Sequence, residues 1–162
     1  AGLISGARSK AHKEIARTFA DYCEKADFNF TNAADIEQAL WDKWVMLATL
    51  AGMTTLCLGS IGEIVATPYG AEMSRRMYGE ACAIAAANDH PIAEKVQSGQ
   101  SAMLTKEGSI FTASMMRDLT GGLKTEHEHV LGALIAKGAP KNIDCPLLKI
   151  AYTHLAVAAG QG

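Results

Sequence analysis

Apolar residues recur at helical spacing along most of the 162-residue chain. A spacing of three or four residues places side chains on one face of an α-helix, whereas strands alternate at every second residue. Alanine, the strongest helix former, occurs 28 times, and runs of β-branched residues are scarce. The apolar stripes lie at 15–26, 36–51, 73–84, 130–135 and 147–155. We therefore predict an all-α fold over residues 1–162, a single helical domain of about seven helices around one core.

Residues between the stripes indicate where helices begin and end. Only residues 1–5 have the character of a strand, the end of one that enters from upstream. Asn32 is a candidate N-cap for the second helix, and Gly62 interrupts the chain after that helix. Thr125 and Glu128 have the spacing of a capping box, which predicts that another helix begins there.

Composition excludes several classes of protein. With 49% hydrophobic and 20% charged residues, the chain is not intrinsically disordered. A net charge of −2 provides no basic surface for nucleic acid or anionic lipid. The most apolar stretch, 44–61, is interrupted by glycine, serine and threonine, which favours a buried helix over a membrane span.

Cysteine usage indicates a reducing compartment. The four cysteines are widely spaced and form no C-x-x-C pair, as expected of small buried side chains in a cytoplasmic protein. No leader peptide is recognisable, and the chain begins with Ala1 rather than methionine. We therefore expect a piece of a longer cytoplasmic protein.

Lys43 is the first candidate for chemistry. On a helical wheel it falls among Ile36, Leu40 and Leu47, in the middle of the apolar face of the second helix. A lysine there either extends its ammonium group past its neighbours or lines a cleft. In a cleft, partial removal from water would make it a better proton donor near neutral pH.

Glu126 is the second candidate, with two other interpretations. It would be the first residue of its helix, where an exposed carboxylate commonly complements the helix dipole. With His129 it also forms Glu-x-x-His, the ligand pair of di-iron helical bundles. Such a site needs a second pair, which the sequence lacks, so we predict no metal site.

The segment 114–126, SMMRDLTGGLKTE, resembles the C-terminal signature of the ketopantoate reductase family. That signature reads S-M-x-x-D, a hydrophobic residue, a short turn and T-E. Upstream, Trp41-Asp42-Lys43 resembles the family's W-x-K helix, and residues 1–26 resemble the passage from a nucleotide-binding domain into a helical one. The resemblance covers nearly the whole chain.

The resemblance implies a fold and a function. Family members join an N-terminal Rossmann domain that binds NADPH to a C-terminal helical domain, of the type in 6-phosphogluconate dehydrogenase-like reductases, that binds a 2-oxoacid. This chain would be the second domain of a cytoplasmic, homodimeric enzyme of pantothenate biosynthesis, and it would be inactive without the first domain. Lys43 would be the general acid, Glu126 would orient a substrate hydroxyl, and Ser114 would hydrogen-bond the substrate.

Two positions depart from the pattern. Leu47 and Ala51 stand where the pantoate-specific enzymes usually carry asparagines, one and two turns after the lysine. These substrate-binding positions leave open whether ketopantoate or a related small carbonyl compound is the substrate. The alternative is a non-enzymatic helical module for dimerisation or scaffolding, which apolar helices fit equally well.

Overall fold

A computed structural model describes residues 2–160, which divide into two compact units, Ala1–Lys43 and Trp44–Gly162. The boundary falls within one continuous helix, α2 (Ile36–Cys57). The all-α class predicted from the sequence is confirmed, with eight α-helices and two short strands among the described residues. Most of the buried apolar residues belong to the second unit, and Ala20, Cys23 and Trp41 belong to the first.

The first unit contains the two strands, β1 (Gly2–Ser5) and β2 (Asn29–Asn32). They pair in parallel, with Gly2 opposite Asn29, and helix α1 (Lys13–Cys23) connects them after a short 3₁₀ turn. The strand expected at the start of the chain is present. Strand β2 was not predicted from the sequence, because its four mostly polar residues carry no alternating apolar pattern.

The apolar stripe predicted on α1 is largely exposed. Ile15 and Tyr22 are each 71% exposed, whereas Ala20 and Cys23 are the buried residues of this helix. Phe19 contacts Phe30 of β2 edge-on, with ring centroids 6.4 Å apart. The first unit is small and offers the apolar side chains of α1 few others to pack against. Helical spacing therefore predicted the helix but not which of its faces is buried.

The second unit is a bundle of helices. After α2 it contains α3 (Ile61–Val65), α4 (Gly70–Ala87), α5 (Glu94–Leu104), α6 (Ser114–Thr120), α7 (Ala133–Gly138) and α8 (Pro146–Ala159). A π-helical turn (Glu128–Gly132) precedes α7, and a 3₁₀ turn (Ala139–Lys141) follows it.

The stripes predicted for α4 and α8 form much of the core of this unit. Met77, Ala81 and Ile84 on α4 are fully buried, as are Leu148 and Leu155 on α8. These two helices pack against each other, so their apolar faces shield one another from water.

A carboxylate on α4 also caps α8. The Glu80 side chain accepts hydrogen bonds from the backbone N–H groups of Leu147 and Leu148, at 3.1 and 3.0 Å. These groups have no partner within their own helix, and a negative charge there complements the helix dipole. The contact fixes the start of α8 against the middle of α4.

Two predicted caps are wrong. Asp35, rather than Asn32, accepts the backbone N–H of Gln38 at the start of α2. The Thr125–Glu128 capping box does not form, because the Thr125 hydroxyl bonds to the side chain of His127 instead. A short polar side chain can satisfy several nearby groups, so spacing alone does not identify its partner.

A capping box does form at α3. Ser60 accepts the backbone N–H of Glu63, and the Glu63 carboxylate accepts the backbone N–H of Ser60. The Glu63 carboxylate accepts hydrogen bonds from both the backbone N–H and the hydroxyl of Ser60. Both bonds lower the pKa of Glu63, and the backbone bond has the larger effect. The box holds α3 directly after the turn that ends α2.

The apolar face expected to be the core side of α2 is partly exposed. Leu40 is 49% exposed, Leu47 is 37% exposed, and Lys43 is exposed as well. Val45 and Ala48, which point away from that face, are fully buried. The Lys43 side chain therefore does not have to pass through packed neighbours to reach solvent.

A search of the described helices for one that combines the length and the hydropathy of a membrane span finds none.

Candidate functional site

A cavity of about 240 Å³ lies within the second unit. This volume is below the roughly 300–1,000 Å³ of sites for drug-sized ligands, and it suits a small metabolite. The cavity is lined by residues of α2, α6, the segment before α6, and the chain around the π-helical turn: Leu47, Leu50, Ala51, Phe111, Thr112, Ala113, Ser114, Met115, Asp118, Glu126 and Val130.

The α2 wall of this cavity is apolar. Leu47, Leu50 and Ala51 supply it, and their side chains contain no donor or acceptor. The backbone carbonyls of Leu50 and Ala51 also accept the hydroxyls of Thr54 and Thr55, at 2.7 and 2.6 Å. Since helical N–H groups bind the same carbonyls, little acceptor capacity remains on this wall.

The start of α6 is fixed by the segment that precedes it. The carbonyl of Phe111 accepts the N–H of Ile61, and the N–H of Ala113 donates to the Thr54 hydroxyl at 3.3 Å. These bonds attach the segment to α3 and α2. As a result, Ser114 and Asp118, one turn apart on α6, both line the cavity.

The chain around Glu126 is held by a polar cluster. His127 is buried, and its Nδ1 lies 2.8 Å from the Thr125 hydroxyl. The Tyr152 hydroxyl donates to the Glu128 carboxylate at 2.6 Å, and the rings of His127 and Tyr152 lie 5.5 Å apart. We call Thr125, His127, Glu128 and Tyr152 the Tyr152 cluster.

The Tyr152 cluster surrounds a wide helical turn. The π-helix Glu128–Gly132 begins two residues after Glu126, and single π-helical turns are frequent at functional sites. A side chain at Gly132 would come within 3.1 Å of the Tyr152 ring, so glycine permits this close approach. The predicted first-turn position of Glu126 is nearly right, because its carbonyl accepts the first hydrogen bonds of the turn.

Four of the five residues selected from the sequence line this cavity. Ser114 and Glu126 lie twelve residues apart in the chain and meet there with Leu47 and Ala51. Ser114 and Glu126 are exposed and so open to a ligand. Lys43 is not among the lining residues. It precedes Leu47 by four residues on α2, about one helical turn.

Asp118 and Phe111 also line the cavity but were not predicted from the sequence. Asp118 was visible as the acid of the S-M-x-x-D signature, one helical turn after Ser114, and that spacing could have identified it. Phe111 lies outside any helical stripe, and its place in the cavity depends on the hydrogen bonds that attach 109–113 to α2 and α3. No local pattern indicates such a placement.

The described residues contain neither a cluster of metal-binding side chains nor a glycine-rich dinucleotide fingerprint. Among residues 2–160, no three His, Cys, Asp or Glu side chains are arranged to hold a metal. The turn after β1 has a single glycine, Gly6, in place of G-x-G-x-x-G. A side chain at Gly6 would lie 2.7 Å from the carbonyl of Ala33, so this glycine serves packing within the first unit.

Comparison with known proteins identifies the family. Residues 35–159 match the family described as "Ketopantoate reductase PanE/ApbA C terminal". The chain belongs to the ketopantoate reductase family. This agrees with the resemblance seen in the sequence, and the matched residues include the whole cavity lining.

Curated relatives of the ketopantoate reductase family agree with this assignment. A 2-dehydropantoate 2-reductase from Archaeoglobus fulgidus is 32% identical over 68% of this chain. An uncharacterized oxidoreductase, YkpB, from Bacillus subtilis is 30% identical over 74% of the chain. The aligned parts represent 37% and 40% of these relatives, so the chain spans less than half of their length.

Solved structures share the fold. A dimeric ketopantoate reductase from Staphylococcus aureus superimposes over 99% of this chain and 54% of its own, with a TM-score of 0.82 and 19% identity. D-mandelate dehydrogenase bound to NADH and anilino(oxo)acetate superimposes over 99% of this chain and 67% of its own, with a TM-score of 0.85 and 17% identity. At these identities the likeness establishes the fold alone.

Proposed function

We propose that this chain is the substrate-binding and proton-donating half of an NADPH-dependent reductase that converts a small 2-oxoacid to the 2-hydroxy acid. The observation that carries the proposal is the cavity in which Ser114 and Glu126 meet. A site for a 2-oxoacid needs a donor for the substrate's oxygens and a group that orients the substrate. A hydroxyl and a carboxylate on the rim of a small apolar cavity have that character.

Each polar residue has a distinct task in this proposal. The Ser114 hydroxyl donates a hydrogen bond to the substrate, and the Glu126 carboxylate accepts one from a substrate hydroxyl and orients the molecule. Lys43 donates the proton that the carbonyl oxygen takes up as the carbonyl carbon is reduced. The assignment of Lys43 rests on the family resemblance, on its exposed side chain and on its place one turn before Leu47.

NADPH would supply the hydride, and we propose that an N-terminal nucleotide-binding domain holds it. The described residues lack a glycine-rich phosphate loop, and curated relatives are more than twice as long as their aligned parts. We also propose a cytoplasmic homodimer, and the dimeric state of the structurally similar reductase from Staphylococcus aureus supports the dimer.

Turnover by the complete protein tests the reaction and the acid together. With NADPH and a panel of small 2-oxoacids, we expect reduction by the wild type. Lys43→Met keeps the apolar stem and removes the charge, so it should lower kcat by about 10²–10⁴-fold without loss of folding. Lys95→Met, at an exposed position on α5, is the matched control and should retain full activity.

The outcomes separate the reaction from the residue. If the wild type reduces no 2-oxoacid, the reductase proposal fails and a scaffold function is favoured. If the wild type is active and Lys43→Met matches it within about twofold, another group is the acid.

A further inference from the structure

One hydrogen bond joins α2 to the π-helical turn, two of the elements that line the cavity. The indole Nε1 of Trp44 donates to the backbone carbonyl of Val130 at 2.9 Å, although the two residues are 86 positions apart in the chain. Both residues belong to the second unit. Leu47, one turn after Trp44 on α2, and Val130 both line the cavity, so this bond connects two of its walls.

A second hydrogen bond extends this connection to Glu126. The backbone N–H of Val130 donates to the carbonyl of Glu126 at 3.0 Å. Val130 is therefore bonded through both of its backbone groups, to Trp44 through its carbonyl and to Glu126 through its N–H. A displacement of Val130 would change the position from which the Glu126 carboxylate extends.

Contacts from two other helices hold the π-helical turn. Such turns are rare and occur mostly as single turns within α-helices. Tyr152 of α8 donates to Glu128, and Trp44 of α2 donates to Val130. Of these two helices, α2 is the one that also lines the cavity, so the Trp44 bond sets the turn directly against the α2 wall.

The Trp44 side chain suits this task. It is half-buried, and its indole is a rigid donor that needs an acceptor when it is removed from water. If Val130 only satisfied this donor, the bond would stabilise the domain without a particular effect on Glu126. The pair of hydrogen bonds through Val130 favours a more specific role.

We propose that Trp44 is a positioning residue that holds Glu126 at the place from which it binds the substrate. This inference rests on the proposed function, in which Glu126 orients a substrate hydroxyl. Trp44 is not among the residues that line the cavity, and it acts through Val130. Placement matters for catalysis, because a misplacement of about 1 Å can lower a rate by about 10²-fold.

Hydrogen exchange in the complete protein tests the connection without an assay of activity. Trp44→Phe keeps an aromatic ring and removes the indole N–H. The loss of one hydrogen bond should speed the exchange of the backbone N–H groups of Glu128–Gly132 by about fivefold to tenfold. In the wild type, the Trp44 indole N–H should exchange more slowly than that of free tryptophan. Unchanged exchange in the turn, or an unprotected indole, overturns the proposal.

A double-mutant cycle with Glu126→Ala tests whether the effect passes through Glu126. With NADPH and the 2-oxoacid that the wild type reduces best, Trp44→Phe should lower kcat/KM of the complete protein by about tenfold. In the Glu126→Ala background, the same substitution should change kcat/KM by less than about twofold, because no carboxylate remains to be positioned. Circular dichroism and thermal unfolding check that each variant folds.

Tyr78→Phe is the matched control. It also removes one polar group from an aromatic side chain, here the hydroxyl that donates to Gln100 at 2.8 Å between α4 and α5, outside the cavity lining. It should leave kcat/KM unchanged. If the wild type is active but Trp44→Phe has no effect, or its effect adds to that of Glu126→Ala, the positioning role is wrong and the reductase proposal stands. If the wild type reduces no 2-oxoacid, both proposals fail.

Discussion

At the scale of single residues, the position of Glu126 depends on hydrogen bonds made by the residues next to it in the chain. Glu126 lines the cavity and is exposed to solvent, whereas the next residue, His127, is buried and hydrogen-bonded to Thr125. Glu128 in turn accepts the hydroxyl of Tyr152. The Glu126 carboxylate therefore extends from a stretch of backbone in which the neighbouring side chains of Thr125, His127 and Glu128 are all hydrogen-bonded.

The Tyr152–Glu128 hydrogen bond has a measurable consequence. This bond, with smaller contributions from burial and the carboxylate's charge, raises the pKa of Tyr152 above its ordinary value. We therefore expect Tyr152 to contribute a late step to an ultraviolet absorbance titration of the protein. Tyr152→Phe should remove that late step, and Glu128→Gln should shift it towards the ordinary value of about 10.

The raised pKa of Tyr152 also determines how the free energy of unfolding changes with pH. Because the pKa is raised on folding, the contribution of Tyr152 is complete below about pH 10 and is lost as pH rises through the folded-state value. Glu107→Gln, at an exposed position away from the Tyr152 cluster, is the control. An unchanged titration in Glu128→Gln would mean that the hydrogen bond is not maintained in solution.

At the scale of elements, the position of α6 depends on a close backbone contact at α3. The N–H of Gly62 donates to the carbonyl of Ser109 at 2.8 Å. An added Cβ at Gly62 would meet backbone atoms of Gly108 and Ser109 at 2.5–2.7 Å. Gly62, predicted from the sequence only to interrupt the chain after α2, allows the segment before Ser114 to lie against α3.

We therefore expect Gly62→Ala to destabilise the second unit. Its neighbours are backbone atoms that must move, and overpacking of this kind costs about 1–3 kcal/mol. Gly79→Ala is the matched control, because Gly79 lies in α4 with no atom within 4 Å of an added Cβ. That change should stabilise by about 0.5–1 kcal/mol through helix propensity.

Urea unfolding of the two glycine variants measures the contrast directly. Gly62→Ala should also weaken substrate binding, since the segment it displaces supplies Phe111 to the cavity and leads directly into Ser114. If Gly62→Ala had a free energy of unfolding equal to or greater than that of Gly79→Ala, the segment before α6 would be able to move aside without a loss of stability.

At the scale of the whole molecule, the sequence predicted the class of fold and four lining residues of the cavity. Helical spacing identified α4 and α8 because their stripes are buried by each other. It misjudged α2, where Leu40 and Leu47 are partly exposed, because periodicity reports an apolar face without reporting what covers it. Phe111 was missed because long-range backbone hydrogen bonds, not local pattern, set its position.

The last prediction concerns the chain by itself. The purified 162-residue chain should reduce no 2-oxoacid and should bind NADPH only weakly, because hydride transfer requires the nicotinamide to be held against the substrate. Calorimetric titration with NADPH and a turnover assay with the panel of small 2-oxoacids measure the two properties. The complete protein is the positive control under the same conditions.

Since the cavity lies entirely within Trp44–Gly162, the isolated chain should still bind the oxoacid weakly, and Leu47→Asn should change that binding. Turnover by the chain alone would mean that the described residues contain a nicotinamide site of a kind that their glycine pattern does not reveal.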